Sequence, residues 1–213
     1  MAEQTKRRYR MVRRQTAVEQ TRERIVAATF DLHATIGPSR TTIRAIADRA
    51  GLQRHTVYAH FPDLDSLYEA CTVHGIRLTG MPEPDGWRTI DRPLDRLRLA
   101  LTEMVAWYRT NEQMLGNVLF DVDPSAPPPT APDPFEVRMV ELSAALMEGW
   151  VVEPDRRLVL EAVVGHALAF TTWRSLSSGG LTDDQVVAIL VALVEGVVAG
   201  SIPTTAAPAT DHL

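Results

Sequence analysis

The chain has 213 residues, 45% hydrophobic and 23% charged, a balance that excludes a fibrous, collagen-like or wholly disordered chain. Its longest apolar run, Val186 to Val194, is nine residues, well short of the roughly 20 that span a bilayer, and the basic start to Gln15 lacks the apolar stretch of a secretory signal, so a cytoplasmic protein is expected. The net charge of −5 hides a division, for residues 1–60 hold 12 Lys+Arg against 5 Asp+Glu and residues 61–213 hold 10 against 22, as expected where one end meets a polyanion and the rest stays clear of it.

Helical spacing dominates from end to end, and short alternating β-branched runs joined by turn dipeptides are missing, which predicts an all-α protein of about nine helices. Residues 1–16 read as a basic flexible arm. Ile25, Ala28, Thr29, Leu32 and Ile36 recur at three and four, giving a helix from about Ala17 that Gly37-Pro38 stops. A hydroxyl at Thr41-Thr42 starts a second helix, which ends at Ala50 and is closed by Gly51. Arg54 to Phe61 is a third, broken by Pro62, and Asp63 to Leu78 a fourth. The loop Met81 to Gly86 is the candidate boundary of head and body. Helices follow from about Asp91 to Thr110 and from Glu112 to Phe120. Six of the 14 prolines fall between Pro124 and Pro134, a loop. Phe135 to Trp150, Asp155 to Ser175 and Thr182 to Ala199 complete the set, and residues 201–213 read as a flexible tail. Cys71 is the only cysteine. It rules out an intramolecular disulfide and a cysteine-cluster metal site, and reads as a small buried residue of the fourth helix.

The window Thr42 to Phe61 has helix-turn-helix spacing. Small Ala47 permits a close crossing, Gly51 makes the turn, and Val57 with Phe61 anchors the second helix on the first. Gln53, Arg54, His55, Thr56, Ala59 and His60 are left outward, on a short polar helix suited to the major groove, where Arg and Gln form paired hydrogen bonds to base edges. Two short helices around a glycine occur in many helical proteins, so the surrounding residues matter. From Ile25 to Leu67 the run IVAATFDLHATIGPSRTTIRAIADRAGLQRHTVYAHFPDLDSL resembles the DNA-binding head of the tetracycline-repressor (TetR) family without a gap. The resemblance rests on the apolar register of the first helix, Gly37, Thr41-Thr42, Ile46-Ala47, Ala50-Gly51, Thr56-Val57-Tyr58 and His60-Phe61, and covers about the first third of the chain.

The resemblance implies a three-helix DNA-binding head over residues 17–62 and a ligand-binding and dimerisation body over 63–200. It puts Thr42 and Arg44 on phosphates or a nearby base, Gln53, Arg54, His55 and Thr56 in the groove, and Tyr58 and His60 on phosphates, where contacts fix register without reading sequence. Three positions depart from the family pattern: His33 and Pro38 stand where aromatics are usual, and Leu64 stands where a phosphate-gripping lysine is usual, so Leu64 is expected to make no DNA contact. Beside this head, Lys6, Arg7, Arg8, Arg10, Arg13 and Arg14 form an arm able to follow phosphates or enter a minor groove, or else a solvated terminus.

In the body, Met104, Trp107, Tyr108, Phe120, Trp150, His166, Phe170 and Trp173 are candidate walls of an effector pocket, which the resemblance implies; stripes of this kind also occur as plain core. The last two helices are apolar on more than one face, so a partner subunit is expected, with Val163, Ala167, Val187, Leu190, Val191 and Val194 as candidate interface residues. Small Gly165, Ala192 and Gly196 permit close approach. In the family these helices form a two-fold dimer matching a palindromic operator. No cofactor or metal is expected. An enzyme is the competing reading, against which stand the lack of GxSxG, HExxH, GxGxxG or phosphate-loop patterns and the poor metal geometry of His55 and His60. A helical interaction or small-molecule-binding protein without DNA is another. Lys6 is the only lysine beside 21 arginines, a usage typical of GC-rich bacterial genomes.

Overall fold

No glycine or proline occurs before Gly37, and the first helix, α1, runs unbroken over Ala2–Ile36. The computed structural model describes residues 1–121 and 132–201, with the backbone path alone at residues 2–8 and 10. The expected start near Ala17 is therefore corrected: the arm is helical, because its Ala, Glu, Gln, Arg, Lys and Met are strong helix formers with nothing to break them. The proline-rich loop falls mostly outside the described residues, as does the tail beyond Ser201.

Nine further helices follow among the described residues: α2 Ile43–Ala50, α3 Arg54–His60, α4 Leu64–Leu78, α5 Pro84–Arg88, α6 Pro93–Phe120, α7 Pro134–Met147, α8 Pro154–Ala167, α9 Phe170–Ser178 and α10 Asp183–Ala199. The expected all-α class holds, with no strand among these residues. Their starts are capped as the side chains dictate. Thr42 accepts the Ala45 amide at 3.2 Å, Asp63 accepts that of Ser66 at 2.8 Å, and Thr182 and Gln185 form a reciprocal capping box. Two boundaries differ from expectation, whereas the two helices expected on either side of Asn111 do meet at a kink there, at φ −112° and ψ 15°, within α6. The loop before Gly86 contains the start of α5, where Pro84 supplies a first-turn residue with no amide to satisfy. The single helix expected to Ser175 breaks at Leu168 and Ala169 into α8 and α9.

The chain forms two compact units, Met1–Gly80 with Asn111–Phe135, and Met81–Thr110 with Glu136–Leu213. In the first, Ile25, Val26, Ile46, Ala47, Val57, Phe61 and Leu67 make the core; burying each of the larger side chains contributes about 1.5–3 kcal/mol. The first stretch of this unit ends at Gly80, beside the loop from Met81 that is the candidate boundary of head and body, and α4 turns Leu67, Cys71 and Gly75 inward. At Gly75 a Cβ would stand 2.7 Å from the Phe30 ring, so the close approach of α4 to α1 needs glycine. In the second unit, α6 contributes Leu97, Leu101, Met104 and Tyr108, α7 Leu142 and Leu146, α8 Leu160 and Val164, α9 Phe170 and Trp173, and α10 Val186, Leu190, Val194 and Val197, all buried. Arg96 is buried among them, its guanidinium donating to the carbonyls of Ile90, Ala145 and Glu148. The last two lie at the C-terminal end of α7, where carbonyls lack helical partners and favour a cation.

Candidate nucleic-acid interface

The position of α3 follows from local sequence. Gly51 takes the left-handed conformation, φ 65° and ψ 41°, its amide reaching back to the Ala47 and Asp48 carbonyls. Val57 and Phe61, one turn apart, are fully and almost fully buried. The opposite face is therefore outward: Gln53, Arg54, His55, Tyr58 and Ala59 are exposed, while Thr56 and His60 are half-buried. Gln53 precedes the helix and makes no side-chain cap, which leaves its amide to solvent. Thr42 accepts the α2 cap with its hydroxyl oxygen, which leaves the hydroxyl hydrogen to donate, and the exposed Arg44 pairs loosely with Asp48 at 3.6 Å. An ion pair so exposed is worth little and yields to a phosphate at small cost. Leu64, at the start of α4, is exposed and carries no charge.

Arginines hold this assembly from α1. The Arg22 guanidinium lies 4.2 Å from the centre of the Phe61 ring and donates to the His60 carbonyl at 3.3 Å. Arg24 donates to the Ala50 carbonyl at the end of α2, and Arg49 pairs with Asp31 at 2.9 Å. Sequence reading misses these braces because nothing in the spacing of an arginine on a solvated helix face says which carbonyl it meets. Arg13 and Arg14 lie exposed on α1, and of Lys6, Arg7, Arg8 and Arg10 only the helical backbone is described.

His33 is buried in this unit, its ring 4.8 Å from that of Tyr68 in an edge-on contact and its Nδ1 3.7 Å from the Cys71 sulfur, while its Nε2 has no hydrogen-bond partner. It thus occupies the aromatic slot that the family pattern suggests. Burial lowers its pKa from 6.5 to about 4, against a smaller opposing pull from Asp121, and pushes the Cys71 thiol up to about 12. A neutral imidazole beside an inert thiol is packing, as expected for Cys71.

The candidate effector walls divide. Met104, Trp107, Tyr108, Phe170 and Trp173 are all buried, and the four aromatic rings are in contact, with Tyr108 5.4 Å from Phe170 and 5.8 Å from Trp173. The Tyr108 hydroxyl donates to the Leu168 carbonyl where α8 breaks, and burial pushes its pKa up. Three of the expected residues do not join this layer. Phe120 belongs to the other unit and is 52% exposed, His166 is exposed with its ring beside the Thr172 hydroxyl, and Trp150 is half-buried, its indole donating to the Leu146 carbonyl at 2.8 Å. His166 departs from expectation because α8 turns Leu160, Val164 and Ala167 inward, a register that leaves His166 off the buried face.

The candidate interface residues lie mostly inside the chain's own core. Ala167, Val187, Leu190, Val191 and Val194 are already buried within the chain and Val163 is half-buried. What remains outward on these helices is a second apolar set: Leu158, Ala162 and Gly165 on α8, and Ile189, Ala192 and Ala199 on α10, with Leu158 72% and Ile189 43% exposed. Gly165 and Ala192 are two of the small residues expected to permit close approach. Sequence alone does not rank the faces, since α10 is apolar nearly all round.

The family model of bacterial regulatory proteins of the tetR family matches residues 25–71. No curated protein matches the chain. Among solved structures, the chain resembles a tetR-family transcriptional regulator from Streptomyces coelicolor at 20% identity and TM-score 0.57, covering 86% of this chain and 84% of that one. It resembles a TetR-like transcriptional regulator from Rhodococcus sp. RHA1 at 20% identity and TM-score 0.53, covering 84% and 96%. A third similar structure is RolR in complex with resorcinol, at 17% identity and TM-score 0.53, covering 90% and 98%. Residues 25–71 thus match the family model of bacterial regulatory proteins of the tetR family, and the chain as a whole shares the fold of these solved structures.

Proposed function

We propose that the chain is a cytoplasmic, homodimeric DNA-binding regulator, a repressor released from a palindromic operator when a small molecule binds its helical body. The observation that carries this reading is α3, a short helix docked by Val57 and Phe61 that turns Gln53, Arg54, His55 and Tyr58 outward. Arg54 and Gln53 read base edges, with His55 and Thr56 beside them, while Thr42, Arg44, Tyr58 and His60 hold phosphates. Lys6, Arg7, Arg8, Arg10, Arg13 and Arg14 lie along the helical arm and supply cations to the phosphates.

The partner subunit covers the outward stripe of α8 and α10, and Leu158→Glu with Ile189→Glu gives a monomer by sedimentation that no longer holds a two-half-site duplex. The effector enters the body. RolR, whose fold this chain shares, is solved in complex with resorcinol. In this chain Trp107, Tyr108, Phe170 and Trp173 are packed on one another, so an effector lodging there opens the layer and changes tryptophan emission. A regulator of this kind performs no catalysis. The experiment is a mobility-shift titration against duplexes selected by the wild-type protein from a random pool: Arg54→Ala weakens binding by about 1–3 kcal/mol and relaxes the preference at one base pair. A wild-type protein that selects no duplex would instead favour a helical small-molecule-binding protein that works without DNA.

A further inference from the structure

The turn that launches α2 is held by residues some 80 positions away. Asn117, in the last turn of α6, donates from Nδ2 to the carbonyls of Ala34 at 2.7 Å and Thr35 at 3.3 Å, two of the groups that the end of α1 leaves without helical partners. Asp121, just past α6, accepts the Ser39 backbone N–H at 2.9 Å and the Ser39 hydroxyl at 2.6 Å. Gly37 makes room for this: its φ is 88°, and a Cβ there would meet the Asp121 carboxyl oxygen at 2.0 Å. No other residue permits both the backbone angle and the approach. From this clamp the bonds continue toward the reading head. Thr41 donates its amide to the Pro38 carbonyl at 3.0 Å and its hydroxyl to the Gly37 carbonyl at 2.8 Å, and Thr42 then caps α2.

The Ser39 hydroxyl holds the Asp121 carboxyl below the usual carboxylate range, with the Ser39 amide, Arg40 and His33 acting in the same direction, so it stays an acceptor at neutral pH. All of these contacts lie within the first unit. They come from the far end of the helix that also carries Trp107 and Tyr108.

We propose that Asn117 and Asp121 are positioning residues for DNA reading: by clamping the turn at residues 37–40 they fix the direction in which α2 and α3 leave α1, and with it the operator affinity. This rests on the operator-binding reading above. Neither side chain needs to touch DNA, so their removal acts on specific binding and spares the electrostatic attraction that any duplex exerts.

The test compares full-length wild type, Asn117→Ala, Asp121→Ala and Asp121→Asn in three measurements. These are affinity for a duplex selected by the wild type, affinity for a scrambled duplex of the same length, and amide exchange across residues 39–61. The two alanine variants are expected to bind the selected duplex about five- to twentyfold more weakly, to bind the scrambled duplex as the wild type does, and to exchange faster across 39–61 while melting within a few degrees of it. Asp121→Asn, which keeps an oxygen for the Ser39 amide, recovers most of the affinity. Unchanged affinity in both alanine variants overturns the proposal. So does an equal loss on both duplexes with a large fall in melting temperature, or an Asp121→Asn as weak as Asp121→Ala. A wild type that selects no duplex sinks the operator reading, and the exchange comparison then still decides whether these residues fix the turn.

Discussion

Head and body bury short apolar helices by opposite means. In the head, charged side chains reach across the surface to hold backbone: Arg22 on the His60 carbonyl, Arg24 on that of Ala50, Asp121 on the Ser39 amide. The small core beneath is Ile25, Ile46, Val57, Phe61 and Leu67, and α3 is left with an outward polar face that nothing in the unit uses. In the body, beside surface ion pairs, polar side chains are also turned inward. Arg96 is buried on three carbonyls and Tyr108 on one, and Arg109 lies 4.9 Å from the Trp173 ring while pairing with Asp183 at 2.6 Å. All four tryptophans, Trp87, Trp107, Trp150 and Trp173, belong to the body unit. The difference teaches that the head leaves a polar helix face outward, while the body also buries polar side chains in its interior.

The largest effect is expected where that inward polarity is removed. Arg96→Met leaves the carbonyls of Ile90, Ala145 and Glu148 unsatisfied, at a cost of about 3 kcal/mol or more. A chain of this length then melts roughly 6–12 °C lower by calorimetry; a change within a degree or two would show that the body does not depend on its buried cation.

The head buries a titratable group of its own, His33, and it gives the next effect. Its native pKa of about 4 lies below the 6.5 of an exposed imidazole. Above pH 6.5 both folded and unfolded chains carry it neutral; as pH falls from 6.5 toward 4 the unfolded chain takes up a proton that the folded one refuses. Stability therefore declines over that window, by on the order of 3 kcal/mol in total. Urea unfolding of His33→Phe at pH 7.5 and pH 5 is expected to show that part of the slope removed, and an unchanged slope would mean that the imidazole is protonated in the fold.

Tyr108→Phe is smaller. It keeps the ring contacts and deletes the donor to Leu168, costing about 1–2 kcal/mol in the same denaturation assay. Smaller still for folding, and visible only on DNA, is removal of residues 2–15, which is expected to lower duplex affinity and flatten its dependence on salt, by about 0.9 of a log unit per log unit for each phosphate that the arm no longer neutralises. An unchanged salt slope would leave the cationic helix as a solvated extension.

The head is far more legible in the sequence than the body, for a physical reason. Helix-turn-helix geometry is local: Ala47, Gly51, Val57 and Phe61 fix it within one short window, and α3 faces as that spacing requires. The clamp of Asp121 on Ser39 joins residues 82 apart, and no local pattern announces it. In the body, the break at Leu168 has neither glycine nor proline to mark it, and α8 and α9 share one apolar period across it. On α10, Val187 is buried and Ile189 exposed although composition makes them alike, so the inward face reads as the interface. The arm shows the reverse error. A cluster of cations reads as a disordered tail, but without a breaker it continues the helix behind it.

The most direct test of DNA reading by α3 is fluorescence anisotropy of a selected duplex titrated with wild type and with Arg54→Ala, each also against a scrambled duplex, at matched salt. The expected result is a wild type that prefers the selected duplex, and an Arg54→Ala that loses about 1–3 kcal/mol on it while binding the scrambled duplex nearly as before. Equal affinity of both proteins for the selected duplex would contradict the assignment of Arg54 and, with it, of α3 as the reading helix.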